Sequence, residues 1–128
     1  MTSIRHLEST AAVAAPDGSF SHATIAGGFV FVSGQGPFDR DGKVVGPDVK
    51  AQTAQVVANL DEILRATGCG LGDMVKVTCH LADIELFDEY DEEYRSLIPP
   101  PRPARITIGS ELDGVLVEID CIALRPDP

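Results

Sequence analysis

The segment Met74–Ala82, MVKVTCHLA, alternates without interruption. Val75, Val77, Cys79 and Leu81 fall on one face, and Lys76, Thr78 and His80 on the other. A period of two is that of a β-strand with one buried side. The segments on either side have a different period. From about Val49 to Thr67, Val49, Val56, Leu60, Ile63 and Leu64 form one apolar stripe, with Asp48 placed to cap the start and Gly68 to end it. After Asp83, Phe87, Tyr90, Tyr94 and Leu97 recur at helical spacing until the proline run IPPPRP stops the helix.

The ends of the chain supply the other strands. SHATIAG and FVFVSGQGP read as a hairpin turned at Gly27–Gly28. Ala104–Ser110 and Val115–Leu124 read as two strands joined across a tight-turn signal at Asp113–Gly114. The order is β-β-α-β-α-β-β: an α+β chain with one mixed sheet and two helices on one face. At 128 residues it is a single domain, with about residues 1–18 an irregular N-terminal segment.

The second-to-last strand carries an anomaly. In PARITIGS, Arg105 interrupts small and apolar residues. If Ile106 and Ile108 face the helices, Arg105 and Thr107 lie on the helix-free face. The last strand then adds Glu118 and Asp120 to that face, among Leu116, Ile122 and Leu124. A face half apolar and half charged suits a subunit interface. Within it, Arg105 is either half of a salt bridge that fixes register or a planar fork for a substrate carboxylate.

Charge excludes several classes. The net charge is −10, and seven Arg and three Lys are scattered, so there is no basic face for nucleic acid. No apolar run is long enough for a membrane span. AAVAAP resembles a signal cleavage site, but RHLEST before it has no apolar region, and the chain reads as cytoplasmic. Three cysteines without a CxxC pair argue against disulfides and a zinc site. Cys79 and His80 point to opposite faces of one strand and cannot share a metal. Cys121 has the parity of the core. His22 reads as solvated surface, with contact to a ligand from the first strand as the alternative. No GxSxG elbow supports a serine hydrolase built on Ser33.

FVFVSGQGP, QTAQVVANLDEILRATG, DMVKVTCHLADIELFDEYDEEY, RPAR and VLVEIDCIAL together resemble the RidA/YjgF family of enamine/imine deaminases, from about Ser19 to Leu124. The resemblance implies a chorismate-mutase-like fold and a homotrimer, with the sheets forming an inner barrel and ligand clefts between subunits. It implies hydrolysis of 2-enamino and 2-imino acids to 2-keto acids and ammonia, with no cofactor and no metal. Arg105 would hold the substrate carboxylate and Glu118 would position or activate water. Ser33 and Gly34 of the SGQ turn, Asp91, Tyr94 and Thr107 would bind substrate. Phe20 stands where the family has tyrosine, Asp91 where asparagine is common, and Gly109 where a glutamate is usual. A Phe20 at the mouth implies either a preference for bulkier, more apolar imino acids or a divergent branch with another task. The alternatives are an aminomuconate-type deaminase or a non-catalytic trimer that binds small carboxylates or acts like a chaperone.

Overall fold

In a computed structural model, which describes residues 3–126, six strands form one sheet. The elements are β1 (Arg5–Leu7), β2 (Ala23–Ala26), β3 (Phe29–Gln35), α1 (Val49–Ala66), β4 (Met74–Leu81), α2 (Phe87–Leu97), β5 (Ala104–Gly109) and β6 (Val117–Leu124). Short 3-10 turns precede β4 and α2. The sheet order is β1-β2-β3-β6-β4-β5, antiparallel throughout except for the parallel pair β4–β5.

Local chemistry accounts for the boundaries. Asp48 caps α1 by accepting from the Ala51 N–H at 2.9 Å. Past Thr67, Gly68 takes a φ of 87°, which ends the helix. Gly27 and Gly28, at φ 58° and 85°, make the two-residue turn of the β2–β3 hairpin. The helices cover one face. The core lies between them and the inward residues Val30, Val32, Val77, Cys79, Leu81, Val117, Ile119 and Cys121.

Four expectations change. The N-terminal segment is not wholly irregular, because Arg5–Leu7 pairs with β2 and extends the sheet by one strand. The turn signal Asp113–Gly114 does not close a hairpin. β4 lies between β5 and β6 and pairs with both, because α2 carries the chain across to the sheet edge. Val75 is 40% exposed, since a register irregularity between Met74 and Lys76 turns Met74 inward in its place.

The fourth correction concerns the faces. Arg105 is in register with buried Val77 and Cys121, and Thr107 with buried Cys79 and Ile119. Arg105 and Thr107 therefore lie on the helix face. Ile106 and Ile108, 48% and 39% exposed, lie on the helix-free face with Glu118 and Asp120. The aromatic face of α2 is the physical reason: Phe87, Tyr90 and Tyr94 pack over the outer strand and receive a cation and a hydroxyl there.

Candidate active site

Arg105 is held from three sides. Its Nη1 donates to Asp91 Oδ1 at 2.7 Å, and both side chains are about one-fifth exposed (23% and 22%). Its guanidinium carbon lies 4.6 Å from the ring centre of Tyr94, 5.5 Å from that of Tyr90 and 5.6 Å from that of Phe87. Burial works against the charged guanidinium. The hydrogen bond to Asp91 and the neighbouring Tyr90, Asp91 and Cys79 outweigh it together, and its pKa moves up.

Of the two readings left open for Arg105, the salt bridge is present within the chain, with Asp91 as the partner. Nη1 belongs to Asp91, and both residues line a 300 Å³ cavity with Tyr94, Arg95, Arg102 and Pro103. Arg102 is anchored to the end of α2 by Nε–H donating to the Ile98 carbonyl at 2.6 Å. Sequence reasoning missed Arg102, and it took Phe87 and Tyr90 for packing residues alone. The spacing of Phe87, Tyr90, Asp91 and Tyr94 on one helix face was the available signal.

Thr107 belongs to this group, its Oγ1 3.0 Å from the Tyr90 hydroxyl. The Tyr94 hydroxyl is buried without a hydrogen-bond partner among the described residues, and burial lifts its pKa to about 12. Cys79, next to Tyr90 and Thr107, is pushed up by burial to about 11, so it stays a thiol and not a nucleophile.

The other expected residues gather elsewhere. Between Val32 and Gln35, β3 carries one residue more than its partner β6, so Ser33–Gly34 forms a bulge. The Ser33 hydroxyl donates to the Ser21 carbonyl and ties the bulge to the loop that presents Phe20. Glu118 on β6 lies against Gly34. A Cβ at position 34 would collide with Glu118 Oε1 and stand 3.3 Å from its Cδ. Phe20 is 49% exposed. His22, expected at the surface, is 1% exposed. Its Nδ1 accepts from the Thr10 N–H at 3.1 Å, which leaves Nε2–H to donate to the Ala14 carbonyl at 2.9 Å. It therefore fixes the loop that leads to Phe20.

One chain thus brings together Arg105, Asp91, Tyr94 and Thr107, and separately Phe20, Ser33, Gly34 and Glu118. Glu118 is in register with His80, and His80 with Ile108, three residues beyond Arg105. Two strand spacings and three residues put the Arg105 and Glu118 backbones on the order of 14 Å apart. Their side chains leave opposite faces. A small substrate cannot touch both within one chain. Among the described residues, no group of three His, Cys, Asp or Glu side chains is placed to hold a metal ion, and no helix is long and apolar enough to cross a membrane.

A six-stranded α+β sheet carries an arginine on its outer strand under the aromatic face of a helix, and a bulged SGQ turn beside a glutamate. The chain belongs to the RidA/YjgF family: residues 10–125 match the family model described as Endoribonuclease L-PSP. A RutC family protein of Pyrococcus horikoshii is 41% identical over 113 residues, 86% of this chain and 90% of that protein. The chloroplastic Reactive Intermediate Deaminase A of Arabidopsis thaliana is 38% identical over 122 residues, 93% of this chain and 65% of that protein. The crystal structure of yeast Mmf1 superposes with a TM-score of 0.92 at 31% identity, covering 97% of this chain and 100% of that one. RidA of an Antarctic Psychrobacter gives 0.87 at 31% identity, with 94% and 99% covered.

Proposed function

We propose that the protein hydrolyses reactive 2-enamino and 2-imino acids to 2-keto acids and ammonia. The observation that carries this reading is the half-buried Arg105 among the residues that line a small cavity, in a chain of net charge −10. A small carboxylate is the ligand such a fork suits. The 38% identity to a protein named as a reactive intermediate deaminase supports the same chemistry.

The reaction is completed between copies of the chain. Arg105, Asp91, Tyr94 and Thr107 of one copy face Phe20, Ser33, Gly34 and Glu118 of the next, in a homotrimer whose sheets line its inside. The exposed apolar residues Phe29, Phe31, Ile106, Ile108 and Leu124 support an interface on the helix-free face, since scattered single residues would not all fall on one side of a sheet. Arg105 holds and orients the carboxylate. Glu118 takes a proton from water, whose oxygen attacks C2 of the imine. Glu118 returns that proton to the nitrogen; the new hydroxyl then gives up its own proton to the nitrogen as its oxygen forms the C=O bond and the C–N bond breaks, so ammonia leaves and the 2-keto acid remains. An enamine first gains a proton at carbon to become the imine. The steps as drawn use no metal or cofactor. Three buried free cysteines fit a reducing compartment such as the cytoplasm.

The test generates imino acids with an L-amino-acid oxidase in the presence of semicarbazide. The protein should suppress semicarbazone formation, and Arg105→Ala should lose the effect by about a hundredfold or more while keeping its oligomeric state. An Arg105→Ala protein that suppresses as well as the parent removes the proposed role. If neither protein suppresses any imine but a 2-keto acid binds, the protein is a carboxylate-binding module.

A further inference from the structure

The proposed anchor has a charge problem. Arg105 is already paired with the Asp91 carboxylate at 2.7 Å, so the pair as a whole is neutral. A substrate carboxylate that approaches it is attracted by Arg105 and repelled by Asp91 at nearly the same distance. If the cavity is to hold an anion, positive charge has to come from another residue.

Arg102 supplies it. It lines the same 300 Å³ cavity as Arg105, Asp91 and Tyr94. Its Nε–H donates to the Ile98 carbonyl at 2.6 Å, and Nη2–H donates to the Arg95 carbonyl at 3.3 Å. These bonds close the C-terminal end of α2 and hold the guanidinium in place, and Pro103 steers the Arg102 backbone away from helical conformations. Among the described residues, Nη1 has no hydrogen-bond partner and the guanidinium forms no ion pair. Capping accounts for the position of a cation at a helix C-terminus. It does not account for a second guanidinium in the cavity of Arg105.

Tyr94 points to a ligand in the same place. It lines the cavity, and its hydroxyl is buried without a partner among the described residues. Burial raises its pKa, and the charges of Arg105 and Arg102 pull the other way, so both guanidiniums lie near one hydroxyl. A buried donor without an acceptor is costly, and an oxyanion between the two guanidiniums would supply the acceptor. Exposed Arg95 and Arg102 also border an adjoining depression with Asp88 and Glu92. Glu92 is engaged by Lys50 at 2.9 Å, and Arg95 balances Asp88. Arg102 and Arg105 against Asp91 then leave a single positive charge, enough for a single carboxylate.

We infer that Arg102 is a second carboxylate-binding residue: it restores the positive charge that Asp91 takes from Arg105, and the substrate carboxylate lies between the two guanidiniums and accepts from the Tyr94 hydroxyl. This assignment rests on the reading of Arg105 as the carboxylate anchor and deepens it.

Calorimetric titration of pyruvate into the full chain tests Arg102 without turnover. Arg102→Gln keeps a polar side chain, removes the charge and should weaken binding about fivefold to tenfold. Arg102→Lys should stay within about threefold of the parent, because the quantity at issue is charge. Arg102→Gln combined with Asp91→Asn removes one charge of each sign and should return the affinity to within about threefold of the parent. Thermal unfolding of each variant shows that it folds. A capping role alone would lower the midpoint of the Gln and Lys variants and leave their affinity for pyruvate unchanged.

Arg102→Gln that binds within about twofold of the parent overturns the assignment. So does a Lys variant that binds no better than the Gln variant, and so does a parent that binds no pyruvate. The anchor is tested apart from Arg102. Weak binding by Arg105→Ala with parental binding by Arg102→Gln removes Arg102 alone, and parental binding by both removes Arg105 as well. Binding that depends on both arginines, without turnover of any imine, leaves Arg102 in place and removes only the deaminase reading.

Discussion

The two halves of the candidate site are built by opposite means. The Arg105 half is made of side chains. A guanidinium is fixed by a carboxylate at 2.7 Å and three aromatic rings, all presented by a regular helix over a regular strand. The Gly34 half is made of backbone: a bulge, a glycine with no side chain to keep a glutamate away, and a loop tied by the Ser33 hydroxyl and by the two bonds of the His22 ring. The first half gives a fixed electrostatic anchor. The second gives room. The proposed hydrolysis of small reactive acids would need both, with precision demanded at the carboxylate and tolerance allowed for the rest of the substrate.

The largest effect should come from the anchored half. Beyond the loss set out for Arg105→Ala, Arg105→Lys should not rescue, because one ammonium cannot serve Asp91 and a substrate carboxylate with the geometry of a fork. A lysine variant with parental kcat/KM would show that charge alone suffices and would erase the distinction between the halves.

Next comes Gly34→Ala. The Gly34 φ lies outside the left-handed region, so alanine costs no backbone strain there. The added Cβ instead meets Glu118 Oε1 and must displace it. We expect kcat to fall about tenfold to a hundredfold, with KM nearly unchanged, since a general base is misplaced and the anchor is intact. Glu118→Gln should fall similarly, and the double variant no further than the worse single one, the mark of two residues acting through one group. Additive losses would mean that Gly34 and Glu118 work independently.

Asp91→Asn acts in the opposite direction and is smaller. The carboxylate that fixes Arg105 also neutralises it. An amide can accept from Nη1 without the charge, and KM for an imino acid should fall about threefold to tenfold, at the low end of what one charge-assisted bond is worth. A raised KM would mean that Asp91 orients the fork more than it competes with substrate.

These differences also explain what the sequence could and could not convey. The helices, the Gly27–Gly28 turn, the Asp48 cap and the alternation through Val77, Cys79 and Leu81 were legible because each follows from spacing within a few residues. The face of β5 was not. Ile106 and Ile108 look like core residues in a strand, yet the side of that strand toward α2 is occupied by rings that suit a cation and a hydroxyl. Which face an isoleucine takes at a sheet edge depends on what α2 presents there, and no local pattern in PARITIGS carries that information. The position of β4 between β5 and β6 was hidden for the same reason, because Asp113–Gly114 reads as a hairpin turn unless the crossover by α2 is known. Burial of His22 rests on two bonds to backbone at Thr10 and Ala14, and backbone partners leave no trace in residue identities.

The smallest effect concerns the face between the halves. Asp120 lies there beside Glu118 and Ile122 on its own strand, with Thr78 in register and Lys76 and His80 on β4. Burial raises its pKa, and the charges of His80 and Lys76 oppose that rise without cancelling it. Its proton is therefore held more firmly in the folded chain than in the unfolded one. The sign follows from linkage: stability from this group is present below the ordinary aspartate pKa of 3.8 and is lost as pH rises through the raised folded-state value. At neutral pH the ionised carboxylate is a cost, reduced because the group is partly solvated. Asp120→Asn should then raise the thermal midpoint at pH 7 by a small amount, within about 2 °C, and the difference should vanish on acidification. A second copy of the chain over this face would bury Asp120 further and enlarge the gain with protein concentration. A lower midpoint for Asp120→Asn at pH 7 would mean that Lys76 and His80 outweigh burial. The helix-free face would then be held by paired charge, like the Arg105 half, and not left open like the bulge at Gly34.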